Sequence, residues 1–256
     1  MQKLYLNYPE INEINTNIVS RRSNGEDTQV ILDRTIFMPK DQNFLDDKGY
    51  ISDLEIISVE EKRDNIIHTI KGKPQKSAVR LRLDDKNRIK NLTYNTAYII
   101  FKLVFQSFYQ AKDIKLKLVD NKFLISISDF YDLIDKNLIE EQINFVISKA
   151  IRIENKNGIT SIYPLGELIN NNICFDNTSK VRGFKIKEII NKANDLEIEF
   201  IAGSDLLKYW WHKAIFFCTL FIHIYFFPLI CYNKKDFKRK EKKNEYINNR
   251  KQRIKS

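Results

Sequence analysis

Up to about Leu83 the apolar positions come in short runs with a two-residue period, at Ile14 to Val19, Gln29 to Leu32, Ile51 to Val59, Asn65 to Ile70 and Val79 to Leu83. Alternation of that kind predicts half-buried β-strands. Breaks at Ser23-Asn24-Gly25, Asp46-Asp47-Lys48-Gly49 and Lys71-Gly72-Lys73-Pro74 supply turn chemistry between them. Residues 1–85 therefore read as a small antiparallel, β-barrel-like domain. After Asp84-Asp85-Lys86 the period lengthens. Leu92, Thr96, Ile99, Leu103 and Phe108 recur at helical intervals and predict a helix over Leu92 to Gln110. Strands at Leu116 to Val119 and Phe123 to Ile127 follow, then a helix at Leu138 to Ile151. An irregular stretch from Tyr163 to Thr178 leads to strands at Gly183 to Ile189 and Leu196 to Ala202. Residues 86–210 thus form an α+β domain, and the chain as a whole falls in the α+β class.

The pattern changes once more near the end. Ala214 to Tyr232 is apolar throughout and carries no formal charge, with Trp210, Trp211 and Tyr232 at its ends. Its length meets what a bilayer-spanning helix requires, and a Lys/Arg cluster follows it. Residues 211–232 read as a membrane anchor or as an aberrant, out-of-frame tail, and 233–256 as a basic tail. The net charge of +10 is concentrated there: eleven Lys and Arg stand against three acidic residues from Asn233 onward, which accounts for eight of the ten charges. The remainder is nearly neutral, so a polyanion would meet local patches on the body and a non-specific attraction at the tail. The 256 residues include seven Gly, five Pro and three Cys, which excludes collagen-like, linker-dominated and disulfide-framework proteins. No secretory signal is visible at Met1 to Pro9, so the cytoplasm is the expected compartment, with membrane association through 214–232 as the alternative.

Catalytic motifs are scarce. There is no nucleophile elbow, phosphate-binding loop or dinucleotide fingerprint. The three histidines are His68, His212 and His223; His68 stands by itself in a β-type run and reads as structural. The carboxylate pairs Asp46-Asp47 and Asp84-Asp85 fall at turn signals and are expected to be solvated.

Several short motifs in order nevertheless carry a resemblance. Leu32-Asp33-Arg34-Thr35-Ile36-Phe37-Met38-Pro39 leading to Asp47-Lys48-Gly49, the strand residue His68, Asn144 in its helix, Asn177-Thr178-Ser179 with Gly183-Phe184-Lys185-Ile186, and Leu196 to Gly203 together resemble the free-standing alanyl-tRNA editing proteins. That family is similar to the editing domain of alanyl-tRNA synthetase. The resemblance runs from about Leu4 to Trp210 and implies a β-barrel-like domain followed by a synthetase-editing-type α+β domain.

It also implies an activity: hydrolysis, in trans, of tRNA-Ala mischarged with serine or glycine, with zinc as the cofactor. In the family two histidines four apart on a helix and a later Cys and His hold the metal. Here Asn95 and Ile99 occupy the helix positions, in the sequence Asn95-Thr96-Ala97-Tyr98-Ile99. In the later segment Asn170 and Cys174 take the Cys and His positions, or a gapped alignment brings Cys174 to the Cys position. Cys174 is then the one residual candidate ligand, or a small packed residue. The family's glycine-rich loop reads Asp41-Gln42-Asn43-Phe44 here. By family position Asn95, Thr96, Asp41, Gln42 and Asn43 are the candidate substrate-binding residues. The expectation is a tRNA-binding protein of this group with weak or absent hydrolysis and no bound zinc. The alternative is a non-catalytic tRNA-binding or membrane-tethered interaction protein.

Overall fold

A computed structural model of the chain describes residues 1–221, apart from Asp64, Ala193 and Asn194. Residues Met1–Leu206 form one compact unit, and a second begins at Leu207.

The first unit opens with a two-residue strand β1 (Gln2–Lys3) and one helical turn α1 (Leu4–Asn7). Then come β2 (Glu13–Asn24), β3 (Asp27–Leu32), β4 (Arg34–Thr35), β5 (Lys48–Ile51), β6 (Leu54–Lys62), β7 (Asn65–Lys71) and β8 (Ala78–Asp84). Six of these close into a barrel in the order β2-β3-β7-β6-β5-β8. Strand β2 closes the ring because it is long enough to pair twice: Glu13 to Asn17 face β8, and Ile18 to Asn24 face β3. β1 adds a parallel pair with β4. The alternating patterns do what alternation requires. In β8, Val79, Leu81 and Leu83 are buried between exposed Arg80, Arg82 and Asp84.

The run Ile51 to Val59, expected as one strand, is instead two. Ser52 adopts a left-handed conformation (φ 56°), and with Asp53 it turns β5 back into β6. A bulge between Ile56 and Ser58 then leaves Ile57 exposed. Gly49 in β5 meets a requirement that only glycine satisfies: a Cβ there would lie 2.1 Å from the Arg82 carbonyl oxygen.

Helix α2 (Asp85–Phe108) starts seven residues earlier than its apolar repeat suggests. Its first turn is polar, and Asp84 caps it by accepting from the Lys86 N–H at 3.2 Å. Residues Asn91 to Ala97 are buried without interruption, so the helix is enclosed on all sides. β9 (Ile114–Val119) and β10 (Lys122–Ile127) follow, then α3 (Lys136–Ser148), capped by Asp135. The stretch expected to be irregular holds part of a small antiparallel sheet: β11 (Glu154–Lys156), β12 (Ile159–Ile162) and β13 (Gly166–Ile169). A 3-10 turn at Thr178–Val181 leads to β14 (Phe184–Lys192) and β15 (Asp195–Ala202). These complete an antiparallel sheet in the order β14-β15-β10-β9.

An aromatic seam joins α2 to that sheet. Tyr94 stacks on Phe123 with centroids 4.4 Å apart, Phe184 on Phe200 at 5.2 Å, and Phe101 on Phe105 at 5.1 Å. Gly203 ends β15 with φ 60°, and a Cβ would approach the Thr93 methyl to 2.8 Å. Helix α4 (Ser204–Phe221) follows. No helix among the described residues is long and apolar enough to cross a membrane. Residues 222–232 of the expected anchor, and the whole basic tail, lie outside the described residues.

Candidate functional site

One face of α2 builds the site. Arg88, Asn91, Asn95 and Tyr98 recur at three- and four-residue intervals and form a polar stripe along α2. Each member takes a different partner.

Arg88 is 1% exposed and bonds to three chain segments. Its guanidinium pairs with Asp47 and donates to the carbonyls of Ile36 at 2.7 Å and Pro9 at 2.9 Å. Asp47 in turn accepts from the Met38 N–H at 2.7 Å. Asp47 was expected in solvent; its side chain is instead fully buried. Its place in a turn-like sequence reports the loop's curvature and not its exposure. Burial raises the Asp47 carboxyl's pKa, and Arg88 and the Met38 N–H oppose that rise. Asn91 holds the same loop from the next turn of the helix. Its amide accepts from the Leu45 N–H at 3.0 Å and donates to the Leu45 carbonyl at 2.8 Å. The segment from Met38 to Asp47 is thereby fixed against α2, with Asp41, Gln42 and Asn43 at its middle. Asp41 turns inward on its own loop, accepting from the Asn43 N–H at 2.7 Å.

Asn95 lies one turn further along the stripe, 2% exposed. Its amide donates to the Ile173 carbonyl at 2.8 Å and reaches the Asn170 side-chain oxygen at 3.4 Å. Asn170 donates to the Thr160 hydroxyl at 3.0 Å and to the Asn172 carbonyl at 3.1 Å. These amides form the floor of a cleft of about 620 Å³. Gln42, Asn43 and Phe44 wall it on the barrel side. Lys115 and Lys117, on the edge strand β9, line it too, as do Ile169 at the end of β13 and Asn171 and Asn172 after it. Asp41 lines the adjoining groove with Lys40, Asn155, Asn157 and the same three consecutive asparagines. Gln42, Asn43 and Asn95 therefore meet in one cleft with Asn170, while Thr96 does not join them. Thr96 is fully buried, and its hydroxyl accepts from the Phe175 N–H at 2.9 Å.

Cys174 lies apart as well, lining a neighbouring groove with Asn155 and Asp176. Burial pushes its thiol up to about 11, which leaves it protonated near neutral pH. Zinc needs at least three converging His, Cys or carboxylate donors. The positions that the resemblance assigns to the family's ligands hold two amides engaged with carbonyl and hydroxyl groups, the fully buried hydrocarbon Ile99 and this protonated thiol. No group of three or more His, Cys, Asp or Glu converges among the described residues. The donor set does not fit the metal.

The motifs that carry the resemblance are mostly architectural. Asp33 accepts from the Thr16 hydroxyl and from the N–H groups of Asn17 and Arg34, and these bonds hold its carboxyl down at about 2. Thr35 bonds His68 Nε2 at 2.8 Å inside the barrel. Asn144 clamps Phe184 across both backbone groups at 2.9 Å, the device Asn91 uses on Leu45. Thr178 links the Val146 carbonyl to the Ile151 N–H. Arg88 and Asn91 were not singled out from the sequence. Their signal is the spacing of polar residues at 88, 91, 95 and 98, three or four apart and so on one face of the helix.

No protein-family profile matches the chain. A barrel joined to an α+β half is the architecture that the resemblance to editing proteins implies. A curated relative points the same way: the chain is 32% identical over 117 residues to the alanyl-tRNA editing protein AlaX-L of Pyrococcus horikoshii. The match covers 43% of this chain and 29% of that protein, so the chain spans less than a third of that relative's length.

Proposed function

We propose that the chain is an alanyl-tRNA-editing-type protein whose cleft receives the aminoacylated 3′ end of a tRNA, of the alanine acceptor in particular, and that it binds this end without zinc-supported hydrolysis. The carrying observation is the meeting of Asn95 with Asn170 on the floor of the cleft between the 42–44 loop and β9. Amides present donors and acceptors together, which suits a nucleobase edge, a ribose hydroxyl or an aminoacyl group. Lys115 and Lys117 in the same lining suit the phosphates that follow such an end. Support for the family comes from the partial match to the Pyrococcus relative. Ester hydrolysis in such a site needs a polarised carbonyl and an activated water. The cleft lining contains no His, Cys or carboxylate to supply either.

The test uses the full chain. Anisotropy titration with tRNA-Ala is expected to give saturable binding that weakens on Asn43→Ala and Lys117→Ala. Seryl-tRNA-Ala is expected to decay at its spontaneous rate with or without added zinc. Turnover above that rate, or binding no tighter than to an unrelated tRNA-sized polyanion, refutes the reading.

A further inference from the structure

A separate feature lies on α4. Leu207, Trp210, Trp211 and Ala214 are spaced i, i+3, i+4 and i+7 and so share one helical face. All four are exposed: Leu207 is 64% exposed, Trp210 50% and Trp211 68%. Together they line an apolar depression on the helix. Lys213 lies over the rings of Tyr209 and Trp210, at 4.8 Å and 5.9 Å from their centroids, so a cation flanks the aromatic patch. Two exposed tryptophans on one stripe mark a surface that something covers.

We propose that this stripe is a docking surface for an anionic lipid bilayer. Two observations select lipid over other partners. The chain beyond the stripe continues as an uncharged apolar run to Tyr232, chemistry suited to acyl chains and not to a polyanion. Eleven Lys and Arg against three acidic residues follow it, a charge excess that complements anionic headgroups. Amphipathic Trp and Lys at one level are the composition of a bilayer interface. The inference is independent of what the asparagine cleft binds.

The two tryptophans of the stripe are the only two in the chain, so tryptophan emission reports on this surface alone. The full chain is floated with vesicles of phosphatidylcholine, alone or mixed with phosphatidylserine, which separates bound protein from aggregate. It is expected to float with the mixed vesicles, with blue-shifted emission quenched by brominated acyl chains, and to be released by high salt. W210A/W211A is expected to lower the floated fraction at least about tenfold, since interfacial binding scales with the apolar area buried. The thermal transition of that variant, followed by circular dichroism, should match the parent and so separates lost docking from lost folding. The proposal is overturned if the full chain does not float with either vesicle. It is also overturned if W210A/W211A floats like the parent, if the tryptophans stay open to iodide on vesicles, or if tRNA shifts their emission and vesicles do not.

Discussion

Protonating His68 should destabilise the barrel, by an amount that follows from its burial. The imidazole is 0% exposed, bonded through Nε2 to the Thr35 hydroxyl and packed edge-on to Phe37 at 6.1 Å. Burial lowers its pKa to about 4 from an ordinary 6.5, and the Val30 backbone offsets only part of that shift. The unfolded chain takes up the proton near pH 6.5 while the folded chain resists it. The stability tied to neutral His68 is therefore complete above pH 6.5, falls as pH drops toward 4, and is lost in full below that. At about 1.4 kcal/mol per pKa unit the whole effect is about 3 kcal/mol, and about 2 kcal/mol of it falls between pH 7 and pH 5. Urea unfolding of the parent and of His68→Gln over pH 5 to 7 isolates this contribution, because His212, His223 and the carboxylates are common to both proteins. The parent should lose about 2 kcal/mol more than the variant. Equal slopes refute the reasoning. Should the variant not fold, an NMR titration of the parent decides the matter: a His68 midpoint near 6.5 means the ring is not sealed in the barrel.

Arg88→Met leaves Asp47 buried without its cation and should cost about 3 to 5 kcal/mol in urea unfolding, and a loss below 1 kcal/mol would show the pair to be dispensable. Gly49→Ala forces a methyl onto the Arg82 carbonyl and should lower the thermal midpoint by several degrees; an unchanged midpoint would mean that β5 and β8 can separate freely. Cys174, protonated and buried, should alkylate far more slowly than a model thiol at pH 8, read by site-resolved mass spectrometry. Labelling at the model rate would point to an open, activated thiol.

Local periodicity made most elements legible. In β8 and β15 every second residue is buried, and both strands lie where alternation places them. The features that escaped depend on partners distant in sequence. Barrel closure needs β2 to bend and pair with β8, Glu13 opposite Arg82 and Asn17 opposite Ala78, and no local pattern encodes that. The strands β11 to β13 are three or four residues long, too short for a period to register. Asp47 carries a turn residue's signature yet is buried, because its partner lies forty-one positions on. At the cleft, Gln42, Asn43 and Asn95, which the sequence motifs put forward as a group, lie in one lining. Thr96 was adjacent in sequence but faces another side of the helix, a distinction that depends on its pairing with Phe175.

The polar stripe of α2 also bears on how separable the two halves of this molecule are. Arg88 and Asn91 belong to the helix that opens the α+β half, yet the groups they satisfy, at Pro9, Ile36, Leu45 and Asp47, belong to the barrel side. A barrel cut free after Asp84 would keep a carboxylate in its interior and lose the guanidinium that neutralises it. The two halves are thus not interchangeable modules. A barrel of this kind could be inherited, or grafted onto another protein, only together with the first two turns of the helix that follows it.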